Sequence, residues 1–391
     1  MSTSTVRLSD VATLNPPTPR GLLASDAEVA VVPMAAVSEQ GSMQVQEYKP
    51  ANAISSGLSY FADGDVLVAK ITPCYENNKI TQAVVDREHA FGSTEFHVLR
   101  PARERLDGRY LTYFLRQDHV REAGVRRMTG SGGQRRVPRN FLAELEIPLP
   151  PLHEQRRIAA ILDQADALRR KRREALAGLR GLYGGLFAEM FGDWSRPGRL
   201  VPMIKIGDQL DFLTSGSRGW AEHYSDSGSL FLRIQNVRYD QLDLSDTTFV
   251  AAPDTAEARR TRVQPGDVLL SITADLGRTA VVPEGLGEAF INQHLAILRS
   301  KSFIPRYLSA ALASPAGQQA ILRRNREGVK AGLNFDDIRS LEVPHVGIDL
   351  QTSFARRAAE IDELKRTVED HQAHLDALFT SLQHRAFRGE L

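Results

Sequence analysis

The stretch PLPPLHEQRRI, Pro148 to Ile158, stands near the middle of a 391-residue chain and divides two kinds of sequence. Before it, Leu145-Glu146-Ile147-Pro148 has the short apolar alternation of a strand, which Pro148, Pro150 and Pro151 keep from continuing because proline brings no amide donor and a fixed φ. After it, Ile158, Ile161, Ala165, Leu168, Arg172, Ala175, Leu179, Leu182 and Leu186 follow at spacings of three and four. Sustained over about four heptads, that rhythm reads as a coiled-coil seam and not merely as an amphipathic surface helix. The stretch is a join between a β-rich domain and a long helix.

A search for internal repeats shows that this join occurs twice. Gly64-Asp65-Val66-Leu67 recurs as Gly266-Asp267-Val268-Leu269, and Arg109-Tyr110-Leu111 recurs as Arg306-Tyr307-Leu308. Asn140-Phe141 with Leu145-Glu146-Ile147-Pro148 recurs as Asn334-Phe335 with Leu341-Glu342-Val343-Pro344. A second seam follows at Phe354, Ala358, Ile361, Leu364, Val368, His371, Leu375, Leu378 and Leu382. Two seams in one chain most simply bury each other. The expected fold is therefore α+β: two β-rich domains related by pseudo-two-fold symmetry and joined by two long antiparallel coiled-coil helices. The expected boundaries are 1–150 and 193–347 for the domains, and 151–192 and 348–391 for the helices. A helix of about 38 residues is roughly 57 Å long, the length of about 17 base pairs of duplex DNA.

Composition narrows the classes. The charge balance of 49 basic to 48 acidic residues gives no bulk attraction to nucleic acid, so any basic site must be local. The basic residues are 41 Arg and 8 Lys. Arginine's planar fork suits phosphates and guanine edges, although a GC-rich genome gives the same bias. One cysteine, Cys74, excludes an intrachain disulfide and a CxxC zinc site. No apolar run approaches the length of a membrane span and the start MSTSTVRLSD lacks a signal-type apolar region, so a cytoplasmic, membrane-free protein is expected.

Catalytic motifs are weak. Asn15-Pro16-Pro17-Thr18 has the outline of an amino-methyltransferase motif, with threonine in the place of the aromatic that stacks on a flipped base and no glycine-rich cofactor loop nearby. Pro253-Asp254 with Glu257 and Arg259 is too tightly spaced for a nuclease centre. Gly130-Ser131-Gly132-Gly133 is not followed by the Gly-Lys-Ser/Thr of a phosphate loop, and the ten histidines form no HExxH. No metal site is expected.

The binding signals are stronger. Lys70, Thr72, Tyr75, Asn77, Asn78 and Lys79 place amides, a ring and two ammonium groups in one loop, and Arg126, Arg127, Gln134, Arg135 and Arg136 flank the glycine-rich segment. Asn pairs with adenine edges, and Arg or Lys with guanine or phosphate, so both groups suit groove reading. The second half offers Ser217, Arg218, Trp220, Arg233, Gln235, Asn236, Thr273, Arg278, Asn292, Gln293, Arg323, Arg324 and Arg326. These loops differ between halves while the frame around them repeats, which implies an asymmetric, two-part target. The run Arg169-Arg170-Lys171-Arg172-Arg173 suits phosphates, an acidic partner or a solvated helix flank equally.

The duplication, Gly-Asp-Val-Leu ahead of Ile71-Thr72, and Ile147-Pro148-Leu149-Pro150-Pro151-Leu152 with Glu154-Gln155 and Ile158 resemble the specificity subunit of type I restriction-modification systems. Leu378-Phe379-Thr380-Ser381-Leu382 followed by Ala386 to Leu391 resembles that family's second helix. The second join departs from the pattern, with Val343-Pro344-His345-Val346-Gly347 in place of the proline-rich run and no Glu before Gln351. The resemblance implies a non-catalytic chain with two target-recognition domains, each reading half of a bipartite double-stranded DNA site, and a helix pair that sets the gap. It further implies two copies of a DNA adenine methyltransferase subunit binding S-adenosylmethionine, and a motor-nuclease subunit using ATP and Mg²⁺, with no cofactor in this chain. The residues alone leave two other readings, a self-contained methyltransferase using Asn15-Pro16-Pro17 and a coiled-coil adaptor that binds proteins.

Overall fold

The computed structural model describes residues 4–194, 201–325 and 332–391. It divides into two compact units, Met1–Arg172 with His371–Leu391, and Arg173–Asp370.

In the first unit, Val66–Ala69 is buried at every residue and pairs on both sides, antiparallel to Phe96–Pro101 and to Ile80–Gln82, with Ala12–Leu14 beyond Phe96–Pro101. A second sheet runs Glu47–Pro50, Glu28–Val32, Ala90–Gly92, Ser59–Phe61, its middle pair parallel. The second unit repeats the first sheet strand for strand as Phe212–Ser215, Leu295–Arg299, Val268–Ser271 and Thr279–Val281. Its other sheet keeps the parallel pair, Ser229–Leu232 with Ala289–Ile291. The strand Ser59–Phe61 of the first copy is reduced in the second to an antiparallel bridge between Arg262 and Phe290, just after the helix Ala256–Thr261.

The repeated tetrapeptide has a physical cause. Gly64 and Gly266 turn the chain at φ 85° and 84°, where a side chain is strained. The next residue is a buried aspartate. Asp65 accepts the Ala62 amide at 2.8 Å and holds Arg100 through two bonds of 2.9 and 2.7 Å. Asp267 accepts the Gln264 amide at 2.7 Å and holds Arg299 at 2.6 and 2.8 Å.

The join is also built twice. Glu146–Pro148 pairs antiparallel with Thr5–Arg7, and Glu342–Pro344 with Met203–Lys205. Tyr110 donates its hydroxyl to the Pro148 carbonyl at 2.9 Å and Tyr307 to that of Pro344 at 2.5 Å. Past the prolines, Gln155 is fully buried; its oxygen accepts the Asp107 amide at 2.9 Å and its nitrogen donates to the carbonyls of Arg105 and Pro150, both at 2.8 Å. Gln351 does the same work with the Ile304 amide at 2.9 Å and the Val346 carbonyl at 3.0 Å. The glutamine therefore fixes the first turn of the long helix to the domain before it, and the second helix needs no proline-rich run to start in register. Gln155→Ala leaves a buried amide and two carbonyls short of partners, so a denaturant melt should show the first unit losing about 2 to 4 kcal/mol.

The long helices are Leu152–Phe191 and Ile348–Phe387, 40 residues each. In the first unit Ile158 and Leu162 join the core that holds Ala386 and Phe387, Arg157 reaches the Leu391 carbonyl at 2.7 Å, and Arg169 pairs with Asp376 at 2.5 Å. In the second unit Leu186, Phe187 and Phe191 share a core with Phe354 and Ala358, Tyr183 donates to Asp362, and Arg357 faces Glu189 at 3.4 Å. Within each unit the two helices thus run antiparallel.

The seam differs from the three-four reading. Ile158, Leu179, Leu186 and Val368 are buried, and Ile161, Ile361, Leu375 and Leu382 are half-buried. Leu168, Leu182, Leu364 and Leu378 are instead about half exposed, at 54%, 49%, 50% and 50%, and His371 is exposed. The helix ends pack on the β-rich domains as well as on each other, so Ala159, Leu162, Phe187 and Phe191 take buried places that a two-helix seam alone would not require. Arg169 leaves the basic run to lie over the Phe379 ring at 4.2 Å and pair with Asp166.

Beside the helices of the second unit, Asp240 sits at φ 58° with its side chain 9% exposed. Arg306 stands 3.3 Å from one carboxylate oxygen, and neither oxygen has a well-formed hydrogen bond. Burial outweighs Arg306 and pushes this carboxyl up to about 6. The folded form holds its proton where the unfolded chain has lost it, so ionisation opposes folding increasingly from pH 4 to 6 and by a constant amount above. Asp240→Asn should therefore match the parent in thermal melts at pH 4 and exceed it at pH 8, by up to about 3 kcal/mol. No helix of the described residues is long and apolar enough to cross a membrane.

Candidate nucleic-acid interface

In the first unit the backbone brings two of the expected loops together. Thr72 donates its amide to the Arg135 carbonyl at 2.9 Å, Val137 donates to Lys70 at 2.8 Å, and Thr129 and Arg136 exchange both bonds of a bridge. Lys70, Thr72, Arg135 and Arg136 therefore share one surface, from which the exposed loop Ser131–Arg135 projects. Arg126 and Arg127 are exposed at the end of the helix Asp118–Arg127 beside it. Gln134 lies in the exposed loop.

Other expected contacts are taken up by the fold. Tyr75 is 1% exposed and packs so closely on Gly124 that a Cβ there would lie 2.0 Å from the tyrosine oxygen, so its ring is core and not a stacking platform. Asn78 takes a left-handed turn at φ 61° with its amide towards the Arg116 carbonyl, and Lys79 donates to the Met34 carbonyl at 3.3 Å. Asn77 donates to Glu39 at 2.8 Å and Thr72 to Glu76 at 3.0 Å. Arg135, exposed, donates Nη2 to the Val125 carbonyl at 3.0 Å and so caps the neighbouring helix.

The second unit assembles a different set. Ser217 bridges Asn292, and Thr273 meets His294 at 2.5 Å, with Gln293 3.1 Å from the other ring nitrogen. Arg218 is exposed, as is Arg323, which donates to Gln319 at 2.9 Å. Trp220 is 6% exposed, lying about 5 Å from the rings of Phe231 and Phe290 and donating to Ser217, so it is a core residue. Asn236, 2% exposed, spends its amide on the Arg233 nitrogen and the Asp243 and Asp246 carbonyls. Asn292, 8% exposed, accepts the His294 amide. These three buried side chains cannot reach a groove as the sequence reading expects. Arg233 pairs with Asp246 and lies 3.1 Å from the Gln235 amide, while Arg278 pairs with Asp275. Arg324 donates to Ser340 and is structural. Arg326 lies outside the described residues.

Two residues on these surfaces carry no sequence signal. Glu95 grips Arg136 with both oxygens at 2.8 to 3.2 Å, and that hydrogen bonding holds its carboxyl below the ordinary range. His294 occupies the second unit's equivalent surface. Each gains meaning only from a partner distant in sequence.

The alternative catalytic motif is accounted for by structure. Asn15, at φ 51°, accepts the Val98 amide at 2.9 Å and closes the end of its strand. Asp254 is paired with Arg259. Among the described residues no group of three His, Cys, Asp or Glu is placed to hold a metal ion.

Residues 3–177 match the type I restriction modification DNA specificity domain. The chain is 39% identical over 158 residues to the EcoEI specificity subunit of Escherichia coli, a match covering 39% of this chain and 26% of that subunit. It is 26% identical over 325 residues to the EcoKI specificity subunit of Escherichia coli K12, covering 75% of this chain and 68% of the other. A solved chain of a type I restriction-modification system shares the fold over 100% of this chain and 98% of its own length, with TM-score 0.64 at 22% identity. Residues 3–177 thus carry the likeness to a type I restriction modification DNA specificity domain, and the chain spans about a quarter of the length of the first curated specificity subunits it matches.

Proposed function

We propose that this chain reads a bipartite double-stranded DNA site, one half by the domain of residues 1–150 and the other by that of residues 193–347. The helices, residues 151–192 and 348–391, set the gap and dock two copies of a DNA adenine-N6 methyltransferase subunit. Those partners bind S-adenosylmethionine, and a motor-nuclease subunit consuming ATP with Mg²⁺ completes the restricting complex. Such a protein works in the cytoplasm. The observation that carries this reading is the contrast within the chain: Asp65, Arg100, Tyr110 and Gln155 have counterparts in Asp267, Arg299, Tyr307 and Gln351, while on the exposed surface His294 and Gly332 stand where the first unit has Glu95 and Arg136.

Co-expression with a type I methyltransferase subunit, followed by mapping of methylated adenines, tests it. One split sequence should be modified; random or absent modification by a well-formed complex refutes the reading. Deleting one heptad between Ile158 and Leu186 should shorten the gap and leave both half-sites unchanged. Arg126→Ala with Arg127→Ala should weaken binding of all sequences alike and lower the salt slope by about 1 to 2, the value for one or two lost phosphate contacts.

A further inference from the structure

One backbone frame supports the exposed surface in both units. In the first, Val137 donates to the Lys70 carbonyl at 2.8 Å and Lys70 to the Glu95 carbonyl at 2.9 Å. In the second, Leu333 donates to Ile272 and Ile272 to His294, both at 2.9 Å. Bridges join Ile71 to Arg136 and Thr273 to Gly332. These bonds align Glu95 with His294 and Arg136 with Gly332. Where the first unit has an ion pair, the second has an imidazole and a glycine. The second unit forms the frame without the pair, so the fold does not require it.

The pair's geometry suits reading more than holding. Glu95 takes the Nε and Nη2 edge of Arg136, leaving Nη1 with only a long contact to the Gln134 carbonyl at 3.4 Å, and the side chain is 41% exposed. A guanidinium fixed along one edge has already lost the rotamer freedom that a fork-like contact costs. Its remaining donors match the O6 and N7 acceptors of guanine in the major groove. The pair is neutral overall, so a phosphate gains less from it than from Arg126 or Arg127. Gly132 and Gly133, in the adjacent loop, have open space where a Cβ would stand.

We propose that Arg136, oriented by Glu95, reads a guanine in the half-site of the first unit, and that the second unit lacks this contact because His294 and Gly332 replace the pair. The inference rests on the proposed function. Arg136 is the specificity residue and Glu95 its positioning residue.

The test uses the full chain in a reconstituted methyltransferase complex on a library randomised in both half-sites. Arg136→Ala and Arg136→Lys should each relax discrimination at one G·C pair of the first half-site, roughly 10- to 100-fold, with the second half-site and the salt slope unchanged. Glu95→Ala should relax the same pair although Arg136 remains, and Glu95→Gln should restore part of the preference. Uniform weakening with a smaller salt slope, or relaxation at another pair, overturns the inference. Should the first-unit variants fold poorly, His294→Glu with Gly332→Arg carries the test to the second unit, where the glycine's Cβ position meets nothing closer than 3.6 Å. A new guanine preference in the second half-site supports the proposal, and an unchanged half-site overturns it. If the parent complex modifies no defined sequence, the function itself has failed; if it does and the variants keep its motif, only this inference has.

Discussion

Phe354→Ala should destabilise the second unit by about 3 to 5 kcal/mol, the range for removing a fully buried aromatic ring. Phe354 is 0% exposed, and its ring centroid lies 5.5 Å from those of Phe187 and Phe191 and 6.5 Å from that of Tyr307. The edge-to-face arrangement adds quadrupole attraction to burial. Because the cluster draws on both long helices and the helix Pro305–Ala313, neighbours cannot collapse into the gap without moving one of them. The denaturant midpoint should fall with an unchanged slope. Phe354→Leu, which refills most of the volume, should recover more than half the loss.

Arg299→Ala is the second large effect, at about 3 kcal/mol. The guanidinium is partly solvated, with its side chain 30% exposed, but Asp267 is 1% exposed and would keep a buried charge with only the Gln264 amide to compensate it. The cost therefore comes from the stranded carboxylate more than from the lost pair. Adding Asp267→Asn should return much of the stability, making the double variant more stable than Arg299→Ala alone. Equal damage in both would show instead that the arginine's packing over the Phe212 ring, 4.9 Å away, carries the effect. Arg100 and Asp65 offer the same comparison in the first unit.

What the sequence made legible was whatever depends on neighbours along the chain. Strand ends at the prolines, glycine turns, helical periodicity and the duplication itself are local signals, and they specify the α+β layout and the two long helices. Burial of individual polar and aromatic side chains is not local. Tyr75 and Trp220 have the chemistry of base-stacking rings, and only the opposing Gly124, Phe231 and Phe290 make them core. Asn236 looks like a reader of adenine until its three backbone partners are known. Glu95 carries no sequence signal, because an acidic residue in a basic surface has no motif, and its partner Arg136 stands 41 positions away. The mid-helix leucines failed for a related reason, since heptad counting assumes one partner and these helices have two.

The discontinuous make-up of the first unit imposes an order on synthesis. The second unit is one continuous stretch, Arg173–Asp370, whereas the first needs His371–Leu391 to finish its core. Gln383, 9% exposed, donates to the Tyr113 carbonyl at 2.8 Å, and Phe387 packs 4.9 Å from Tyr110. On the ribosome the half translated first must wait, with an open apolar face, while the half translated later closes. A released chain ending at residue 370 should thus yield a protease-resistant second unit joined to a cleavable first one. Small changes in the helical turns of His371–Leu391 would be felt in the maturation of a domain encoded some two hundred residues upstream.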